Sequence, residues 1–198
     1  MKQIVLATQN PHKVEEMKAI FSGLEIEFLS LADFENIEPA VEDGITFKEN
    51  AIKKARHVAL QAKKYTLADD SGLEVEALGG RPGIYSSRYA PDNPGRIRRL
   101  LSEMEEVPDE KRAARFVCCM ALSDPEGKVT TETGYCHGVI AYEPAGTGGF
   151  GYDPIFYLPG INKTMAQLTP EEKNQISHRS EAARLMKPII KQYPSLID

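Results

Sequence analysis

The run Ile4-Val5-Leu6-Ala7 constrains this chain most. A strand that is apolar on both faces must be covered on both, as in the sheets of α/β proteins. Asn10-Pro11 follows, pairing a favoured N-cap residue with a proline suited to the first helical position. A strand is therefore expected over residues 2–8 and a helix from Pro11 to about Ser22. Val14, Met17, Ala19, Ile20 and Phe21 line one side of that helix, and Gly23 ends it. Residues 25–29 alternate as a second strand. Thr46-Phe47-Lys48-Glu49 has the form of a capping box, and Phe47, Ala51, Ala55, Val58, Ala59 and Ala62 recur at helical spacing to about Lys64. Tyr65-Thr66-Leu67-Ala68 reads as a short buried strand, so the first half is βαβαβ.

The second half changes character. Gly79-Gly80-Arg81-Pro82-Gly83 is turn chemistry, and a helix is expected over 93–105. Residues 115–122, 128–136 and 139–142 read as strands separated by turns such as Pro125-Glu126-Gly127. Thr169-Pro170-Glu171-Glu172 opens one late helix, and a last helix is expected from about Ser180 to Tyr193. The expected fold is α/β, a long mixed β-sheet flanked by helices. It forms a single domain over residues 1–198 in two lobes with a central substrate cleft.

A chain of 198 residues can bury roughly 70% of its unfolded surface, enough for a substantial core. Its net charge of −5 argues against a binder of duplex nucleic acid, which needs a basic face. No apolar stretch approaches the roughly 20 residues of a membrane span, and Met1-Lys2-Gln3-Ile4 leads straight into a strand rather than a secretion signal. A cytoplasmic protein is expected. Cys118, Cys119 and Cys136 lack a C-x-x-C spacing and read as buried free thiols.

Chemistry concentrates at a few places. Asp69-Asp70 sits where the strand ending in Ala68 is expected to run out into the small-residue turn Ser71-Gly72, and ligands collect outside the carboxyl ends of such strands. An acidic turn bonded to its own backbone explains the pair equally. Free N–H groups after Asn10 form an anion site, and Lys13 falls in the first helical turn, where the dipole disfavours a cation. Lys54 lies one turn beyond Asn50. Glu42 precedes that helix and is placed to share one hard divalent cation with Asp70; magnesium suits two carboxylates completed by water and phosphate. Gly146-Thr147-Gly148-Gly149-Phe150-Gly151 matches G-x-G-x-x-G, but β-like residues 152–157 follow instead of a helix, so it is not a dinucleotide fingerprint. A glycine-rich loop presenting Phe150, Tyr152 and Asp153 fits a base pocket better. Lys173 and Ser177-His178-Arg179 complete the cationic inventory, again near expected helix starts, with Ser177 also suited to cap the last helix.

Taken in order, Thr8-Gln9-Asn10-Pro11-His12-Lys13, Phe47-Lys48-Glu49-Asn50-Ala51, Ala68 to Leu73, Gly79 to Tyr85, Phe150-Gly151-Tyr152-Asp153-Pro154 and Ser177-His178-Arg179 resemble the Ham1-like inosine triphosphate pyrophosphatases. The resemblance covers nearly the whole chain. It implies a homodimeric, magnesium-dependent hydrolase of non-canonical purine nucleotides such as ITP, dITP and XTP, releasing pyrophosphate. Carried over, Thr8, Asn10, Lys13 and Lys54 hold the triphosphate, and Ser71 contacts substrate. Glu42 and Asp70 hold the metal, and Asp70 is also the general base. Phe150, Gly151, Tyr152, Asp153, Lys173, His178 and Arg179 form the base pocket. Tyr152 stands where some relatives carry tryptophan, and Val41 where some carry a further acid. A Maf-type pyrophosphatase of other modified nucleotides and a non-catalytic nucleotide-binding module remain the competing readings.

Overall fold

The computed structural model describes residues 2–34, 37–38 and 40–193. Seven strands form one mixed sheet in the order β2-β1-β3-β4-β5-β6-β7. They are β1 (Lys2–Leu6), β2 (Ile26–Ser30), β3 (Thr66–Val75), β4 (Ala113–Ser123), β5 (Val129–Ile140), β6 (Phe156–Leu158) and β7 (Lys163–Thr164). Among the described residues five α-helices accompany them, α1 (Pro11–Ile20), α2 (Phe47–Ala62), α3 (Asn93–Glu103), α4 (Pro170–Ile176) and α5 (His178–Gln192). None of the described helices is long and apolar enough to cross a membrane.

Two compact units divide the chain. Unit 1 comprises the described residues up to Asp70, Cys118–Gly134 and those from Arg179 onward; unit 2 comprises Ser71–Val117 and Tyr135–His178. Unit 1 has its own core, in which Ile4, Leu6, Leu67, Cys118, Met120 and Leu122 of the sheet meet Met17 and Phe21 near α1 and Ala182, Ala183 and Met186 of α5. Burying each Ile, Leu, Met or Phe among them stabilises by about 1.5–3 kcal/mol. In unit 2, Leu73, Val75, Phe116, Ile140 and Phe156 pack with Leu100, Met104 and Tyr152.

Parallel pairing explains where the chemistry stands. β1 pairs with β2 from Lys2↔Ile26 to Leu6↔Ser30, and with β3 only at Val5↔Thr66 and Leu6↔Leu67. Asp69 and Asp70 therefore lie just past the end of β1. The expected turn at Ser71-Gly72 is absent: β3 continues to Val75, because Leu73 and Val75 keep the two-residue period and are both fully buried. Strand residues 128–136 and 139–142 likewise prove to be one strand, β5. Gly138 does not break it; a Cβ there would lie 2.5 Å from the Tyr157 carbonyl oxygen on β6, so close backbone approach requires the glycine.

Two more expectations shift. Asp153–Ile155 is a 3-10 turn rather than β-like, since Pro154 cannot donate within a ladder. The last helix starts at His178, two residues early, directly after an extended Ser177. Lys173 consequently lies in the last turn of the short α4 rather than at a disfavoured helix start.

Candidate active site

In unit 1, local sequence builds the first cluster from the ends of α1 and α2. Asn10 caps α1, its Oδ1 accepting the His12 N–H at 3.0 Å, and Thr8 Oγ1 accepts the Asn10 N–H at 3.2 Å. Ahead of α2, Thr46 Oγ1 accepts from the Glu49 N–H, Glu49 accepts from the Ile45 N–H at 2.7 Å, and Asn50 Oδ1 accepts from the Gly44 N–H at 2.8 Å. The Glu49 bond reaches one residue further back than an ordinary capping box. These contacts fix the loop that carries Glu42. Lys54 then donates to Asp70 Oδ1 at 3.0 Å and to Glu42 Oε2 at 3.3 Å, and Asn50 Nδ2 donates to Asp70 Oδ2 at 3.3 Å.

Asp69 has a different set of partners. Its Oδ2 accepts from Lys13 Nζ at 2.9 Å and from Arg179 Nη2 at 3.0 Å, while Arg179 Nη1 pairs with Glu16. Arg179, expected in a base pocket, thus joins Lys13 of the phosphate set within unit 1. Burial explains it: the Arg179 side chain is 1% exposed, and a guanidinium so buried needs carboxylates.

Unit 2 holds the second cluster. Asp153 Oδ2 accepts from Lys173 Nζ at 2.8 Å and from the Phe150 N–H at 2.8 Å, and the Lys173 ammonium stands 4.9 Å from the Phe150 ring centroid. Gly149 is required here, because a Cβ would lie 2.0 Å from Asp153 Oδ2 and its φ is +70°. Gly151 (φ +64°) turns the chain between Phe150 and Tyr152. The His178 ring stacks on Phe116 at 4.8 Å. Tyr152 is a core residue instead of an open stacking surface: it is 4% exposed, and its hydroxyl donates to the Ser86 carbonyl at 3.0 Å. Ser71 follows Asp70 on β3, partly buried.

A model of the Ham1 family matches residues 4–189. The chain belongs to the Ham1 family. This Ham1 chain is 50% identical over 185 residues to a dITP/XTP pyrophosphatase of Geobacillus kaustophilus, covering 92% of this chain and 91% of that one. It is 46% identical over 193 residues to a dITP/XTP pyrophosphatase of Bacillus subtilis, covering 96% and 98%. Among solved structures, a HAM1 protein from Coxiella burnetii superposes with a TM-score of 0.89 at 43% identity, covering 98% of this chain and all of that one. The Staphylococcus aureus Ham1 protein gives 0.86 at 41% identity, covering 96% and 98%.

Charge in the first cluster of this Ham1 chain is unevenly tuned. Burial raises the Asp70 pKa above the ordinary carboxylate value and outweighs the attraction of Lys54. Burial also opposes the charge on Lys54, yet Asp70, Asp69 and Glu42 together raise its pKa. Asp69 is pushed up by burial but held well below the carboxylate range by Lys13, Arg179 and Lys54. Two carboxylates on one ammonium form a donor set that suits a hard cation. The described residues hold no cluster of three or more His, Cys, Asp or Glu able to bind a metal, so water and phosphate must complete the coordination of any ion held there.

Glu16 and Ser86 escaped the sequence reading. Glu16 lies three residues from Lys13 on α1, a spacing that puts both on one helix face, so its signal was present. Ser86 carried none: its Oγ donates locally to the Gly83 carbonyl at 2.6 Å, and the bond that matters, from the Leu73 N–H at 2.9 Å, is set by tertiary structure.

Proposed function

We propose that this chain is a nucleoside triphosphate pyrophosphohydrolase of nucleotide-pool house-cleaning, converting dITP, ITP and XTP to the monophosphate and pyrophosphate. It works as a magnesium-dependent cytoplasmic homodimer. One observation carries the reading: in a Ham1 chain, Asp70 meets Lys54, Asn50 and, through Lys54, Glu42. Relatives at 46–50% identity named dITP/XTP pyrophosphatases support the substrate class. Its partner is a small nucleotide, and the net charge of −5 speaks against nucleic acid.

Attack of water on a phosphoryl group needs positioning and charge neutralisation more than covalent chemistry. Asp70 accepts the proton of the attacking water, positioned for it by Lys54 and Asn50. Lys13 and Lys54 bind phosphate oxygens, with Thr8, Asn10 and the first N–H groups of α1 beside them. Glu42 and Asp70 would hold magnesium, which would supply Lewis-acid neutralisation of the phosphate charge. Ser71 contacts substrate.

Phe150 stacks on the purine, with Gly151 shaping its loop and Tyr152 backing it from the core. Asp153, Lys173 and His178 read the base edge. A 6-oxo group accepts from cationic or backbone donors, whereas the 6-amino group of adenine leaves them unpaired. The test is turnover of ITP, dITP, XTP, GTP and ATP with magnesium, followed by product separation. Monophosphate and pyrophosphate from the first three are expected. Diphosphate and orthophosphate, or no turnover, overturn the reading.

A further inference from the structure

We infer that Asp69 is a positioning residue for phosphate binding, a fully buried carboxylate on β3 that sets the ammonium of Lys13 and uses Arg179 as its strut. This rests on the reading of Lys13 as a phosphate ligand and adds the group that aims it.

Three elements end at this one side chain. Lys13 comes from the first turn of α1, Arg179 from the first turn of α5, and Asp69 from the rigid interior of β3. Both cations stand at helix N-termini, where the dipole disfavours them, and a single oxygen, Asp69 Oδ2, takes both, at 2.9 and 3.0 Å. Glu16 completes a group of two cations and two anions. Exposure separates the roles within it. The side chains of Asp69 and Arg179 are 0% and 1% exposed and present no surface to a ligand, whereas the Lys13 side chain is 14% exposed. An ammonium has three hydrogens, so Lys13 keeps its bond to Asp69 while donating to a phosphate. A flexible lysine otherwise loses rotamer entropy when a ligand immobilises it. Asp69 places that ordering in the free protein, before ligand arrives.

Removing the Asp69 charge has two opposed effects. It raises the positive potential, which favours any polyanion, and it releases Lys13. Asp69→Glu separates them, because it keeps the charge and displaces the anchor by one methylene. Binding of inorganic tripolyphosphate, read by calorimetry, needs no turnover. Asp69→Glu is expected to weaken it roughly tenfold, as far as Lys13→Met does, and the double variant no further. Binding by Asp69→Glu as tight as wild type, independent multiplying losses in the double variant, or no tripolyphosphate binding by the wild type would each overturn the assignment. Should Asp69→Glu fail to fold, Lys13→Met is measured in the wild type and in Asp69→Asn, a cycle in which the effect of the lost charge cancels. A Lys13→Met loss that disappears in the Asp69→Asn background supports positioning, and a loss as large as in the wild type overturns it. Tripolyphosphate binding without dITP or XTP hydrolysis by the wild type would sink the proposed activity and leave the role of Asp69 intact.

Discussion

Asp69 and Asp70 are consecutive on β3 and point their carboxylates to opposite faces of the sheet, Asp69 to Lys13 and Arg179 and Asp70 to Lys54 and Asn50. Period-two alternation along a strand causes this division. One acid faces α1 and α5 and is wholly enclosed; the other faces α2 and keeps some access to water. The two have different chemistry because they have different neighbours.

Replacing Asp70 by asparagine removes the proposed base and metal ligand while keeping shape and the contact with Asn50. Turnover of dITP is expected to fall by at least about a hundredfold, the usual contribution of a general base. Pyrophosphate release measures it, with circular dichroism to establish that the fold persists. Activity within a few fold of wild type would refute the role.

Lys54→Met removes the ammonium between Asp70 and Glu42. With the competing cation gone, binding of manganese to the nucleotide-free protein is expected to tighten by about tenfold, a change on the order of one charge pair in wet surroundings. Turnover falls at the same time. Calorimetry without nucleotide checks the first effect, and unchanged or weaker metal binding contradicts the shared donor set.

Acid stability follows from Asp69. Its folded pKa lies below its unfolded value near 3.8, so its contribution is present above that value and is lost as the pH falls through and below it toward the depressed folded pKa. Thermal melts of the wild type should therefore drop steeply as the pH falls below about 4. Asp69→Asn, which removes one partner of a buried pair and costs about 3–5 kcal/mol, should melt lower at neutral pH and show a shallower decline in acid. Parallel melting curves for the two proteins would exclude this origin.

Tyr152→Phe and Gly149→Ala distinguish the two sides of the base loop. Phenylalanine keeps the buried ring and loses only the bond to the Ser86 carbonyl, so it should cost about 1 kcal/mol of stability and leave the preference for XTP over ATP within about twofold. Alanine at 149 drives a methyl group into Asp153 and strains a positive φ. It should cost about 1–3 kcal/mol and shrink the same preference severalfold. Denaturation and kcat/KM ratios for the two nucleotides separate these outcomes.

Features governed by near neighbours were legible in the sequence. Asn10 and Pro11 started α1, Thr46 and Glu49 started α2, and the apolar run at Ile4 announced a covered strand. Asp70 and Glu42 were read together because two acids, one at a strand end and one ahead of a helix, suit a hard cation, whereas Lys54 was assigned to the triphosphate by the family resemblance. The Asp69 group was not legible, because 110 residues separate its carboxylate from Arg179. Nor was the continuation of β3, since Ser71-Gly72 favours a turn locally and the unit 2 core around Leu73 and Val75 overrides it. Lys13 and Arg179 looked misplaced at helix starts only while their internal carboxylate was out of sight.

That pairing bears on how the protein meets an anion in solution. Lys13 and Lys54 each already hold an acid of their own chain, Asp69 for the first and Asp70 with Glu42 for the second. An arriving polyphosphate does not discharge bare cations; it exchanges places with, or shares, oxygens that are already there. Few small ions are set free by such an exchange, so affinity should vary only gently with ionic strength, unlike that of a protein that greets phosphates with an open basic face.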